Sequence, residues 1–139
     1  MLSIFRLTSS SSSSSTLLVH RKIAVVDDES ELAELYTEAI RTQGYLVSPF
    51  SDPLMALQEI CSNPSDYSLL VVDIKMAVMN GIDLVTQIHI KNNKIKIIFI
   101  SGDTQFEKKD LKFPLLIKPF KISKLLEVVN NTLKVKKTD

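Results

Sequence analysis

Asp27, Asp28, Asp73, Ser101 and Lys118 are the residues of this sequence whose types and placing suit chemistry. Asp27 and Asp28 follow the apolar run Ile23-Ala24-Val25-Val26, and Asp73 follows Leu69-Leu70-Val71-Val72. Ser101 follows a run from Ile95 to Ile100, and Lys118 follows Leu115-Leu116-Ile117. Carboxylates a few ångströms apart repel one another, so one takes up a proton or a cation joins them. A hard, oxygen-preferring cation such as Mg2+ (or Mn2+) suits carboxylates completed by water and a phosphate oxygen. Lys118 offers a point charge that pairs with a carboxylate at rest and with a phosphoryl oxygen afterwards. The Ser101 hydroxyl donates to such an oxygen, and a carboxylate is a competent nucleophile toward phosphorus. Together the set suits phosphoryl transfer by positioning and charge neutralisation.

Singly, each residue has a local explanation. An acidic pair before a helix complements its N-terminal dipole, and an Asp after an apolar strand is often a turn residue. Ser101-Gly102 reads as a loop start and Lys118-Pro119 as a turn. Their joint occurrence at the ends of successive apolar runs is what chance does not readily supply. In an open parallel sheet, the carboxyl ends of the strands converge on the crevice that binds ligands.

The elements that must position these residues are legible in the hydrophobic pattern. Ile23–Val26, Leu46–Phe50, Leu69–Val72, Ile95–Ile100 and Leu115–Ile117 read as strands. The third is wholly apolar, as expected when both faces of a sheet are covered. Leu32, Leu35, Tyr36, Ala39 and Ile40 recur at helical spacing, which puts them on one face of an amphipathic helix that Gly44 stops. Ser51-Asp52-Pro53 opens the next helix with a cap residue and a first-turn proline. A third helix runs from about Ile82 to Lys91, and Ile122, Leu125, Leu126, Val129 and Leu133 line the last. Strands alternating with helices argue for a parallel sheet sandwiched by helices.

Composition narrows the classes. The chain has 139 residues, 45% apolar and 24% charged, with a net charge of +1, which fits one globular domain. That balance gives no sign of a nucleic-acid or membrane surface read by bulk charge. No apolar run approaches the roughly 18–20 residues of a membrane span. Residues 1–20, with serines from Ser9 to Ser15, read as a disordered leader or a misplaced start, although Leu17-Leu18-Val19 offers a weak docking segment. The single cysteine, Cys61, reads as a small buried hydrophobe in a reducing compartment, so the expected location is cytoplasmic.

The segments Val25-Val26-Asp27-Asp28-Glu29, Val71-Val72-Asp73-Ile74-Lys75-Met76, Gly81, Ile100-Ser101-Gly102 and Ile117-Lys118-Pro119-Phe120 resemble the receiver domain of two-component response regulators. The resemblance covers about Lys22 to Lys134, and its motifs are specific only in combination. It implies a flavodoxin-like, doubly wound, five-stranded parallel sheet of order 2-1-3-4-5 with helices on both faces. The domain would span 21–135, with 136–139 a short tail. Asp73 would accept a phosphoryl group from a histidine kinase or phosphotransfer protein. Asp28, Asp73 and the main-chain carbonyl of Lys75 would hold Mg2+ or Mn2+, with Asp27 acting mostly through water. Ser101, Gly102 and Lys118 would contact the phosphoryl oxygens, and Lys118-Pro119 would be a cis peptide. Such a chain is a phosphoacceptor rather than an enzyme, with at most metal-dependent self-phosphorylation and self-dephosphorylation.

Three departures from the family pattern stand out. Ala77 occupies a usual proline position, which predicts a looser loop, and Leu115 replaces the aromatic that rotates on activation. The stretch from Ser101 to Lys118 is short, so the fourth helix is expected to be short or irregular before Pro114. Leu115 and the shortened segment before Pro114 favour a second reading, a phosphorylation-independent receiver-type scaffold with an atypical output face. A haloacid-dehalogenase phosphatase would need an aspartate where Lys75 stands. Few residues follow Lys134, so the expected output is contact with an unidentified protein, by a monomer or weak dimer. His20 and His89 lack ligand spacing, and the lysines at 91, 94, 96, 134, 136 and 137 read as solvated or helix-end charges. Val78 and Met79 are apolar in a predicted exposed loop, where a partner contact and incidental exposure are equally expected.

Overall fold

Residues 22–103 and 111–134 are described in a computed structural model of the chain. Five parallel strands, β1 (Lys22–Val26), β2 (Leu46–Phe50), β3 (Tyr67–Asp73), β4 (Lys96–Ser101) and β5 (Leu115–Ile117), form one sheet. Their spatial order is β2-β1-β3-β4-β5. Helices α1 (Ser30–Arg41), α2 (Pro53–Ser62), α3 (Gly81–Lys91) and α4 (Ile122–Leu133) join and cover the strands, and a short 3-10 turn spans Pro64–Asp66. The fold is flavodoxin-like.

The continuous apolar runs follow from a core on each face of the sheet. Successive strand residues point to opposite faces. Ala24, Val26, Leu70, Val72, Ile97 and Phe99 pack under α2 and α3. Their neighbours Ile23, Val25, Leu69, Val71, Ile98 and Ile100 pack under α1 and α4. A polar residue at almost any of these positions would be buried against one helical layer or the other. Each fully buried Ile, Leu or Val contributes about 1.5–3 kcal/mol, so the runs are selected on both faces at once.

Local chemistry ends and starts the helices. Gly44, after α1, has φ of 91°, and its N–H donates to the Arg41 carbonyl at 2.9 Å. A side chain is disfavoured in that left-handed conformation. Asp52 caps α2 by accepting from the Leu54 N–H at 2.9 Å, with Pro53 in the first turn. Asn80 caps α3 by accepting from the Asp83 N–H at 2.8 Å.

Several expectations shift. The buried face of α1 is Ala33, Tyr36, Thr37 and Ile40, and Leu35 is half exposed. Residues 33, 36, 37 and 40 fall within about 100° of arc, whereas Leu35 lies roughly 150° from the middle of that stripe. Cys61 is only partly buried, at the margin of the α2–α3 core. Strand β3 begins two residues earlier than the apolar run, at Tyr67. The expected short or irregular fourth helix falls at residues 104–110, outside the described residues, as do the leader and the tail. Among the described residues, no helix is long and apolar enough to cross a membrane.

Candidate functional site

The chain passes from β1 outward to β2 and then back across β1 to β3, so the connections leave β1 and β3 in opposite directions. Such a switch point opens a crevice at the carboxyl ends of the two strands. Asp27 directly follows β1, and Asp73 closes β3 beside it. Ser101 closes β4 and Lys118 directly follows β5. The strand ends thus carry the sequence-predicted residues to one rim.

Asp27, Asp28 and Asp73 each offer a carboxylate oxygen, and the three oxygens lie within 4.8 Å of one another. Lys118 reaches into this group. Its Nζ lies 3.4 Å from Asp73 Oδ2, 3.7 Å from Asp27 Oδ2 and 3.8 Å from Glu29 Oε1. Gly102 lies beside the Lys118 side chain, since a Cβ there would fall 3.9 Å from Lys118 Cδ. The Lys118 N–H donates to the Ser101 carbonyl at 2.8 Å, and the Lys118–Pro119 peptide is cis. Behind it, Phe120 stacks on Tyr36 of α1 with ring centroids 5.6 Å apart.

Not every predicted group faces the carboxylates. The buried Ser101 hydroxyl accepts from the Asp103 N–H at 2.9 Å and donates to the Asp103 carbonyl at 3.3 Å. Lys75 is exposed, and its backbone lowers the Asp73 carboxyl against the rise that burial imposes. His89 bonds the Ile95 carbonyl through Nε2 at 2.9 Å and meets Phe113 edge-on, so it serves the α3–β4 connection. Val78 is exposed beside the site, while Met79 packs partly against the core.

Burial governs the electrostatics. Asp27 is 1% exposed, and desolvation pushes its carboxyl from 3.8 up to about 6, opposed by the Glu29 N–H that Oδ1 accepts at 2.9 Å. Desolvation also raises Asp73, against the lowering pull of Lys118. Burial pulls the Lys118 ammonium down, but Asp27 and Asp73 outweigh it and leave it above its ordinary value. Asp27 Oδ2 is buried without a hydrogen-bond partner. An unsatisfied buried carboxylate oxygen is costly, and a hard cation is the partner such an oxygen suits.

Two participants escaped sequence reasoning. Glu29 stands in the motif, but only the fold turns its carboxylate back to Lys118. Ala77, in the usual proline position, donates its N–H to Asp28 Oδ2 at 2.9 Å and so joins the loop to the acidic pair. Proline has no N–H and could not make that bond.

The model of the response regulator receiver domain family matches residues 23–130. The response regulator protein TodT of Pseudomonas putida is 30% identical over 118 residues, covering 81% of this chain and 51% of TodT. This chain thus spans about half the length of TodT, and likewise of the transcriptional regulatory protein PrrA of Mycobacterium tuberculosis. Sporulation initiation phosphotransferase F of Bacillus subtilis is 26% identical over 124 residues, covering 86% of this chain and 98% of its own. Among solved structures, TrrA of Thermotoga maritima in complex with Mg2+–BeF superposes with a TM-score of 0.71 at 28% identity, covering 81% of this chain and 98% of that one. The chain belongs to the response regulator receiver domain family of two-component systems.

Proposed function

We propose that this receiver domain accepts a phosphoryl group on Asp73 from a histidine kinase or phosphotransfer protein and signals through protein–protein contacts. One observation carries the reading: Asp27, Asp28 and Asp73 converge within 4.8 Å, with Lys118 Nζ 3.4 Å from Asp73. In the step itself, an Asp73 carboxylate oxygen bonds to phosphorus. The bond from phosphorus to the donor nitrogen breaks, and the donor histidine leaves with its electron pair.

Asp27, Asp28, Asp73 and the main-chain carbonyl of Lys75 would hold Mg2+, or Mn2+ in its place. The hard-oxygen donor set and an Asp27 Oδ2 without a hydrogen bond support this assignment. A bound divalent cation would supply neutralisation of the charge gathered between carboxylates and phosphoryl oxygens. Lys118 would move from Asp73 Oδ2 to a phosphoryl oxygen, and Ser101 would exchange its Asp103 partner for another. Gly102 would admit the group without a side chain in its way. Phosphorylation then shifts a two-state equilibrium by offering Ser101 and Lys118 a new anion. The cytoplasm, where such donors work, is the expected location. The role is that of a phosphoacceptor, with at most metal-dependent self-phosphorylation and self-dephosphorylation of its own.

Incubation with acetyl phosphate and magnesium, followed by intact-mass measurement, tests this reading. The wild type gains one phosphoryl mass and Asp73→Asn does not. No gain on the wild type, or equal gain on the variant, overturns it. Leu115, in the usual aromatic position, favours the phosphorylation-independent scaffold. A scaffold has no use for a buried carboxylate oxygen left without a hydrogen bond, so we place it second.

A further inference from the structure

Glu29 occupies the N-cap position of α1, yet its side chain makes no cap hydrogen bond. Glutamate is not among the favoured cap residues, and the first-turn donors Leu32 and Ala33 use its main-chain carbonyl. Its carboxylate points elsewhere, with Oε1 3.8 Å from Lys118 Nζ. The arrangement closes on itself. Asp27 Oδ1 accepts from the Glu29 N–H at 2.9 Å and so fixes the Glu29 backbone, while Asp27 Oδ2 lies 3.7 Å from the same ammonium that Glu29 holds. Lys118 is thereby drawn two ways: inward by the buried Asp27 and Asp73, and outward by a glutamate whose side chain is 66% exposed.

We infer that Glu29 is a positioning residue, which holds the Lys118 ammonium toward the mouth of the site at rest and slows its transfer to an incoming phosphoryl oxygen. The inference rests on the phosphoacceptor reading above. Glu29 takes no part in covalent change. It sets how readily the Lys118 ammonium is released from its resting partners. An exposed ion pair is weak, so the effect is a modest adjustment of rate, about two- to fivefold.

The test compares Glu29→Gln with Glu29→Asp in the full chain, with acetyl phosphate and magnesium as probes. Aspartate keeps the charge but is one methylene shorter, so it loses the reach to Lys118 while preserving the local field. Both variants are expected to label about two- to fivefold faster than wild type. Both should also shift the Lys118 side-chain 13Cε resonance, identified by its loss in Lys118→Arg, in unphosphorylated protein, with melting temperature unchanged. If Glu29→Asp matches wild type and only Glu29→Gln is faster, charge repulsion of the anionic donor explains the rate and the positioning role is overturned. An unmoved Lys118 resonance in both variants overturns it equally. Should wild type take no phosphoryl group at all, the phosphoacceptor reading fails by itself, and the proposed slowing fails with it. The Lys118 resonance would then still report whether the Glu29 contact exists.

Discussion

A Cβ added to Gly81 would fall 2.5 Å from the main-chain oxygen of Asp73 and 3.0 Å from the Cα of Ile74. The first turn of α3 therefore lies directly against the backbone of the proposed phosphoacceptor. The Gly81 N–H donates to the Ile74 carbonyl at 2.8 Å and locks the contact. The atoms in the way are backbone, so neither side can yield cheaply. Gly81→Ala is expected to lose about 1–3 kcal/mol of stability, the usual cost of forcing extra volume into a packed site. Urea unfolding measures the loss, and acetyl phosphate labelling should slow in parallel as Asp73 is displaced. Wild-type stability together with wild-type labelling would show that the close approach does not matter.

Ala77 bears on the loop between Asp73 and α3. Its N–H bond to Asp28 is made by the main chain, so Ala77→Gly retains it and Ala77→Pro removes it. The proline variant should lose about 1 kcal/mol, less than the roughly 1.5–3 kcal/mol of a hydrogen bond to a charged acceptor because this one is exposed. Its loop amides should exchange with solvent faster, as read by hydrogen exchange of residues 74–80. Equal protection in the proline variant and wild type would mean that the bond does not restrain the loop.

The acid–base behaviour of Asp27 has a definite sign. Its carboxyl titrates near 6 in the folded chain against 3.8 as its ordinary value, so the folded state binds more protons between those limits. Cation-free stability should therefore fall as pH rises from about 4 to about 6, by at most about 3 kcal/mol from this group. Asp73 is raised as well and acts in the same direction. Magnesium competes with the proton for these oxygens, so it should raise the melting temperature more at about pH 7.5 than at about pH 5. Thermal scans with and without magnesium at both pH values check this. An equal shift at both would separate the cation from the acidic cluster.

Asp27→Asn removes a buried charge and keeps the shape of the side chain. Without cation at about pH 8, the variant should be more stable than wild type by about 1–3 kcal/mol, because the desolvated carboxylate is gone. It should also lose most of its response to magnesium. Such a trade of stability for function is common where a site gathers like charges. A variant less stable than wild type at that pH would mean that the attraction of Lys118 for Asp27 outweighs the burial cost.

Much of this molecule was legible in its linear order. The apolar runs identified β1, β3 and β4 because each is buried on both faces, whereas β2, at the sheet edge, is mostly half-buried and carries Ser48 in its middle. The acidic pair, Asp73, Ser101 and Lys118 were marked by their place at the ends of those runs. Leu35 was misplaced because helical spacing admits two overlapping stripes, and only contact with the sheet selects the one carrying Ala33 and Thr37.

By itself, then, the sequence determined the element order, the two-sided core and the side chains available at the rim. These depend on residue type and on periods of two and 3.6, which are local properties of the chain. Tertiary structure decided which atoms meet there. The Lys118 approach to Asp27 Oδ2, the Glu29 reach to Lys118, the Ala77 N–H on Asp28 and the press of Gly81 on Asp73 join segments through main-chain direction and packing. Residue types carry no record of where an N–H or a carboxylate oxygen points once the strands have paired.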